Sequence, residues 1–305
     1  MPNQKQQPSN TIGSTLFCMS RVVSFLFLPL LLFVPGSTIA SDSTSENDFS
    51  NYVVSWSGDN LIATIDTHES APVHRVFFIE TAHPDQKTAI GGDYDGKGFA
   101  GVYFSADEKW LCVNVGIGVH GAECHVFKHG AERRFEELTT PDINATAKSL
   151  FETAAGPEFT FDAVYGLYWS GERLVLMASG RGQKNDKIYT DEMFLEYRLA
   201  KAEVVPVSKH FVAPIGTGAG ANPDPEYERW DNASLEAYEQ SLQHQLNVIY
   251  NLLLTKLDAD AKAKLASEQN QWELTRQKKP PGRHERDLFV QQRINALAAR
   301  FLALR

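Results

Sequence analysis

Cys112 and Cys124 lie in strand-like sequence on either side of the turn-rich stretch Gly116-Ile117-Gly118-Val119-His120-Gly121, with His120 and His125 beside them. A hairpin would bring the two sulfurs opposite each other, and an oxidising compartment would close them into a disulfide. The same residues could hold a metal, but the spacing lacks a C-x-x-C knuckle, so the disulfide is the favoured reading. Gly91 to Gly98 carries Asp93 and Asp95 among glycines, oxygen ligands that Ca²⁺ accepts. The loop lacks the other acidic positions of an EF-hand and reads as a hairpin turn, because Asp and Gly are the residues turns favour. Asn144-Ala145-Thr146 fits a glycosylation sequon, and His68, His74, His83 and His129 are scattered through the same region. There is no nucleophile elbow, no H-E-x-x-H and no strand-to-helix phosphate loop. The chain is therefore expected to be no enzyme, with no cofactor, no metal and no catalytic residue.

The elements that must position these residues are strands. Val, Ile, Phe, Tyr and Trp recur in nine short runs: Tyr52–Trp56, Leu61–Asp66, Val73–Glu80, Phe99–Ser105, Trp110–Val115, Glu123–Lys128, Phe159–Tyr168, Arg173–Ala178 and Met193–Leu199. Turn formers such as Ser57-Gly58-Asp59-Asn60 separate them. An antiparallel β domain over residues 52–205 follows. The turns Ser105 to Leu111 and Tyr168 to Leu174 look like hairpins of propeller blades. A complete propeller needs about four blades of roughly 40 residues, so a sandwich or a curled, partly propeller-like sheet is expected. Val212 to Asp224 is rich in Gly, Pro and Ala, and residues 206–229 read as a linker.

Residues 230–305 change period. Leu235, Tyr238, Leu242, Leu246, Ile249, Leu253 and Leu257 recur at steps of three and four, one apolar helical face whose start Asp231 or Ser234 can cap. Asp258 can cap a second helix bearing Ala261, Leu265, Gln269, Trp272 and Arg276, which Pro280-Pro281-Gly282 ends. Val290, Ile294, Leu297, Phe301 and Leu304 mark a third. Three antiparallel helices sharing a core complete an α+β chain.

The run Leu246-Asn247-x-x-Tyr250, then Leu265-x-x-x-Gln269-x-x-Trp272-x-x-x-Arg276, with Arg293 and Leu297, resembles the LprI-type lysozyme inhibitor family of secreted bacterial proteins. The resemblance covers about residues 230–305 and implies a role in binding and inhibiting lysozyme, or in envelope protection. Family members carry cysteines around these helices, whereas this chain has none after Cys124. From the residues alone, Trp272 reads as core, with Arg276 one turn later stacking on it by cation–π contact. Gln269 reads as satisfying a buried backbone group.

Export agrees with that resemblance. Arg21 precedes an apolar run from Val22 to Val34, and Gly36-Ser37-Thr38-Ile39-Ala40 offers small residues to a signal peptidase. Residues 1–40 are read as a signal peptide cleaved after Ala40, with Met19 as the expected true start, and residues 41–51 as a flexible leader. The mature chain is expected in the periplasm or secreted, without a membrane span. Residues 41–225 hold 27 acidic and 15 basic side chains, and residues 226–305 hold 11 and 12. No basic patch argues for nucleic acid. A basic protein partner, such as a lysozyme, would be steered to the acidic β region. Three functions stay open: lysozyme inhibitor, periplasmic protein-binding scaffold, or hydrolase with its site on the β domain.

Overall fold

The computed structural model describes residues 49–66, 74–94, 99–117, 121–130, 134–184, 187–209, 211–214, 225–278 and 282–304. The expected signal peptide and most of the leader, His68, His120, the Asp95–Gly98 end of the glycine loop, and Pro280-Pro281 lie outside them. The protein is α+β, with the strands first and a helical C-terminal region.

All nine expected strands form, within a set of thirteen among the described residues. They group into three four-stranded antiparallel meanders. The first is β1 (Asn51–Val54), β2 (Asn60–Asp66), β3 (His74–Glu80) and β4 (Lys87–Tyr94). The second is β5 (Phe99–Phe104), β6 (Trp110–Ile117), β7 (Gly121–His129) and β8 (Phe135–Glu137). The third is β9 (Phe159–Ser170), β10 (Arg173–Lys184), β11 (Lys187–Arg198) and β12 (Glu203–Pro206), with β13 (Phe211–Pro214) also on β11. One parallel bridge, Ala122 to Ala163, joins the second to the third.

Each meander buries both faces, and strand alternation decides which residue goes where. Val53, Ile62, Val76, Phe78 and Ile90 pack against Val102, Leu111, Val113, Val115 and Phe127 of the second meander. The opposite face of the second meander, with Cys112, Cys124 and Val126, packs on Val164, Leu174, Leu176 and Leu195 of the third. The meanders thus stack face to face like successive propeller blades, three in an arc.

Helices close the arc. Helix α2 (Pro225–Lys256) has 32 residues and is about 48 Å long at the α-helical rise. Trp230 near its start packs on Val175, Met177 and Phe194, the outer face of the third meander. Further along, Leu242, Leu246, Ile249 and Leu253 join Leu265 of α3 (Ala259–Gln277) and Val290, Ile294, Leu297 and Phe301 of α4 (Arg283–Ala303). Together they cover Tyr52, Val54, Leu61, Ala63 and Ile79 on the outer face of the first meander. Among the described residues no helix is long and apolar enough to cross a membrane.

Several sequence expectations change. Helix α2 starts at Pro225, so neither Asp231 nor Ser234 caps it; the Ser234 hydroxyl donates to the Trp230 carbonyl inside the helix. Asp258 does cap α3, accepting from the Ala261 amide at 2.8 Å. The expected linker contains β13. The glycine loop does not join a hairpin: Gly91 to Tyr94 belong to β4, and the chain then crosses to β5 in another sheet. A helix that the strand pattern concealed, α1 (Ile143–Ala155), starts at the supposed sequon, with Asp142 as its cap. Its residues Ile143, Ala147, Phe151 and Ala155, four apart, fill the core between the second and third meanders.

Candidate functional site

The helical motif resolves into a chain of side-chain contacts crossing all three C-terminal helices. On α2, Gln243 donates to Asn247 at 3.2 Å and accepts from Arg276 of α3 at 2.9 Å. Arg276 lies 3.7 Å from Glu273, which accepts from Gln269 at 3.4 Å. Gln269 in turn accepts from Arg293 of α4 at 3.0 Å. Gln269 therefore bonds a side chain on the next helix rather than a buried backbone group. The Arg276 guanidinium sits 5.6 Å over the Trp272 ring, as the one-turn spacing implied. Trp272 itself is half-buried at the edge of the core, stacked on Phe289 at 5.2 Å, and not in its centre. Leu246 and Leu265 are buried, Tyr250 is half-buried, and Asn247 is exposed. Arg300 adds a contact from α4 to Glu268 at 3.1 Å. Burial holds the Arg293 guanidinium below its ordinary pKa, with Glu268 opposing that effect.

The sulfurs are brought together, but on a diagonal. Cys112 is in register with Val126, and Cys124 with Asn114, so the two lie on one face one step apart. They are unbonded thiols with Sγ atoms 3.5 Å apart, both buried. Burial, reinforced by the Cys124 contact, pushes the Cys112 thiol well up, which keeps it protonated at neutral pH. Gly166 gives them room: a Cβ there would stand 2.2 Å from the Cys112 sulfur. Asn114 holds the Gly166 backbone, donating to its carbonyl and accepting from its amide, both at 2.7 Å. His125 turns instead to Glu137 at 2.6 Å and Glu123 at 3.6 Å. Among the described residues no three His, Cys, Asp or Glu groups cluster as a metal site.

The feature sequence reasoning missed is where the three meanders meet α2. The first strands β1, β5 and β9 converge there on a partly enclosed cavity of about 140 Å³. Its walls are Trp56, Tyr103, Phe104, Tyr168 and Trp169 on one side, and Tyr238, Ser241, His244 and Gln245 of α2 on the other. The open edge of β1 faces the helices, and amide side chains seal it. Gln245 accepts from the Val54 amide at 2.9 Å and donates to Ser241 at 3.1 Å. Asn295 accepts from the Tyr52 amide at 3.0 Å, and Gln291 donates to the Tyr52 carbonyl at 2.9 Å. These contacts do for an exposed strand edge what another strand would do.

The turns at the mouth share a design. In both Ser55–Asn60 and Ser105–Trp110 the serine amide bonds the carbonyl five residues on, and the serine hydroxyl accepts that residue's amide. Gly58 and Glu108, the fourth residues, both have positive φ. Glu108 then locks the two turns together, accepting from the Ser57 amide and from Asn60 Nδ2 at 2.8 Å. At Gly58 a Cβ would meet Val248 of α2 at 2.7 Å, so the bare glycine lets this turn close on the helix. Trp56 follows: its ring lies 4.5 Å from His244, whose Nε2 is 2.9 Å from the Trp56 carbonyl. The repeated serine turns were the available signal in the sequence.

No family model and no curated protein matches the chain. Among solved structures it is similar to TolB from Acinetobacter baumannii, at 9% identity and TM-score 0.30 over 52% of this chain and 31% of that one. It is also similar to a prolyl endopeptidase, at 8% identity and TM-score 0.26 over 56% of this chain and 36% of that one. The chain spans about a third of the length of each, and likeness at this level carries no functional argument.

Proposed function

We propose that this is an exported envelope protein that binds a protein partner through its meanders, with the LprI-like helices serving to close the arc. One observation carries this reading. Gln269, Arg276 and Arg293, the polar residues of the family-like motif, bond one another's helices, directly or through Gln243 and Glu273. Side chains engaged in this way hold the helices in register and are poorly placed to grip a second protein. The charge lies elsewhere, with 27 acidic against 15 basic residues in 41–225. That excess favours a basic partner, and a lysozyme has the required sign.

The test is a titration into a lysozyme lytic assay, with direct binding measured at low and high salt. The proposal expects salt-sensitive binding that survives Arg276→Ala, while that variant melts at a lower temperature. Loss of binding in a folded Arg276→Ala protein would move the interface to the helices. No binding to any basic envelope protein captured from extract would remove the proposal. Inhibition of lysis separates the inhibitor role from plain binding.

A further inference from the structure

We infer that the cavity between β1, β5, β9 and α2 is a binding site for a small, uncharged, hydroxylated aromatic molecule of about phenol size. The cavity measures about 140 Å³, and a protein cavity of about 150 Å³ accommodates benzene. None of the sixteen lining residues is Asp, Glu, Lys or Arg, in a chain that is 22% charged. An ammonium entering it would lose its hydration without gaining a counter-ion, and a carboxylate would meet only the His244 imidazole, whose Nε2 is already turned to the Trp56 carbonyl. The lining mixes aromatic and polar groups. Trp56, Phe104, Tyr168 and Trp169 offer ring faces and edges, which favour stacked or edge-on aromatic partners. Tyr103, Tyr238 and Gln240 add hydroxyl and amide groups to the lining. An all-apolar ligand would leave such groups unanswered, whereas one hydroxyl on the ring can donate to one and accept from another.

Position supports the same inference. The cavity lies at the junction of four elements, where concave sites commonly form. Trp56, at its mouth, is 38% exposed although large and apolar, and only a turn and His244 hold it. That gives a path in without unfolding any strand.

The experiment is ligand-observed saturation-transfer NMR on the chain, with phenol as the probe and benzoate as a charged probe of the same ring. Phenol should show saturable binding, and benzoate should bind at least about tenfold more weakly, since its charge is not compensated. Trp56 and Trp169 line the site, so phenol should also shift tryptophan emission with the same midpoint. Ala106 is an exposed turn residue on the rim, and Ala106→Trp should abolish binding without lowering the melting temperature. Ala237→Trp, from the opposite wall, provides a second block. Absence of saturable phenol binding at millimolar concentration would overturn the inference. So would equal binding of phenol and benzoate, or unchanged binding in both folded tryptophan variants.

Discussion

Tyr238 shows how a residue can report on the joint it sits in. Its ring packs against the helical core and lines the cavity, and burial raises its pKa to about 12, with Asp287 adding to the rise. In the unfolded chain the phenol ionises near its ordinary value of 10.0. The folded state favours the neutral form, so this stabilisation is complete below pH 10 and is lost as pH climbs toward 12. Burial likewise raises Tyr94 and Tyr103. Urea midpoints measured from pH 9 upward should fall, and Tyr238→Phe should flatten part of that fall. An unchanged slope in the variant would mean that Tyr238 is not buried as described.

At the scale of elements, the seal between α2 and β1 is the contact to break. Gln245 is 7% exposed and accepts from the Val54 amide. Gln245→Leu keeps the volume and leaves that amide unpaired, at a cost of about 1–3 kcal/mol, readable as a lower denaturant midpoint. Unchanged stability would show that the edge is not sealed by this side chain. The same contact explains what the sequence could and could not disclose. Runs of β-branched and aromatic residues between turn formers located the nine strands, and apolar periodicity located the buried faces of α2 and α4 and Leu265 of α3, because it reflects burial directly. It passed over α1, since Ile143, Ala147, Phe151 and Ala155 leave few large apolar side chains to form a stripe. It passed over Lys87–Tyr94 because the glycines there resemble a turn; they sit at an irregularity in the pairing with β3, which resumes at Tyr94. Gln245, Gln291 and Asn295 looked like ordinary polar helix positions. Their role depends on a strand edge some 190 to 240 residues away, which no local pattern encodes. The cavity was hidden for the same reason, since its walls come from four separated stretches of chain.

At the scale of the molecule, the helices are part of the β structure and not an appended unit. The core cluster holding Leu246, Leu265 and Leu297 also holds Tyr52, Val54, Leu61 and Ile79. Removing the helices would bare the outer face of the first meander and leave the edge of β1 unpaired. Trp230 ties the other end of α2 to the third meander, so one helix spans the gap in the arc. Differential scanning calorimetry of the full chain tests this joint folding. One transition whose calorimetric and van't Hoff enthalpies agree is expected; two resolved transitions, with the helices melting apart from the meanders, would contradict joint folding.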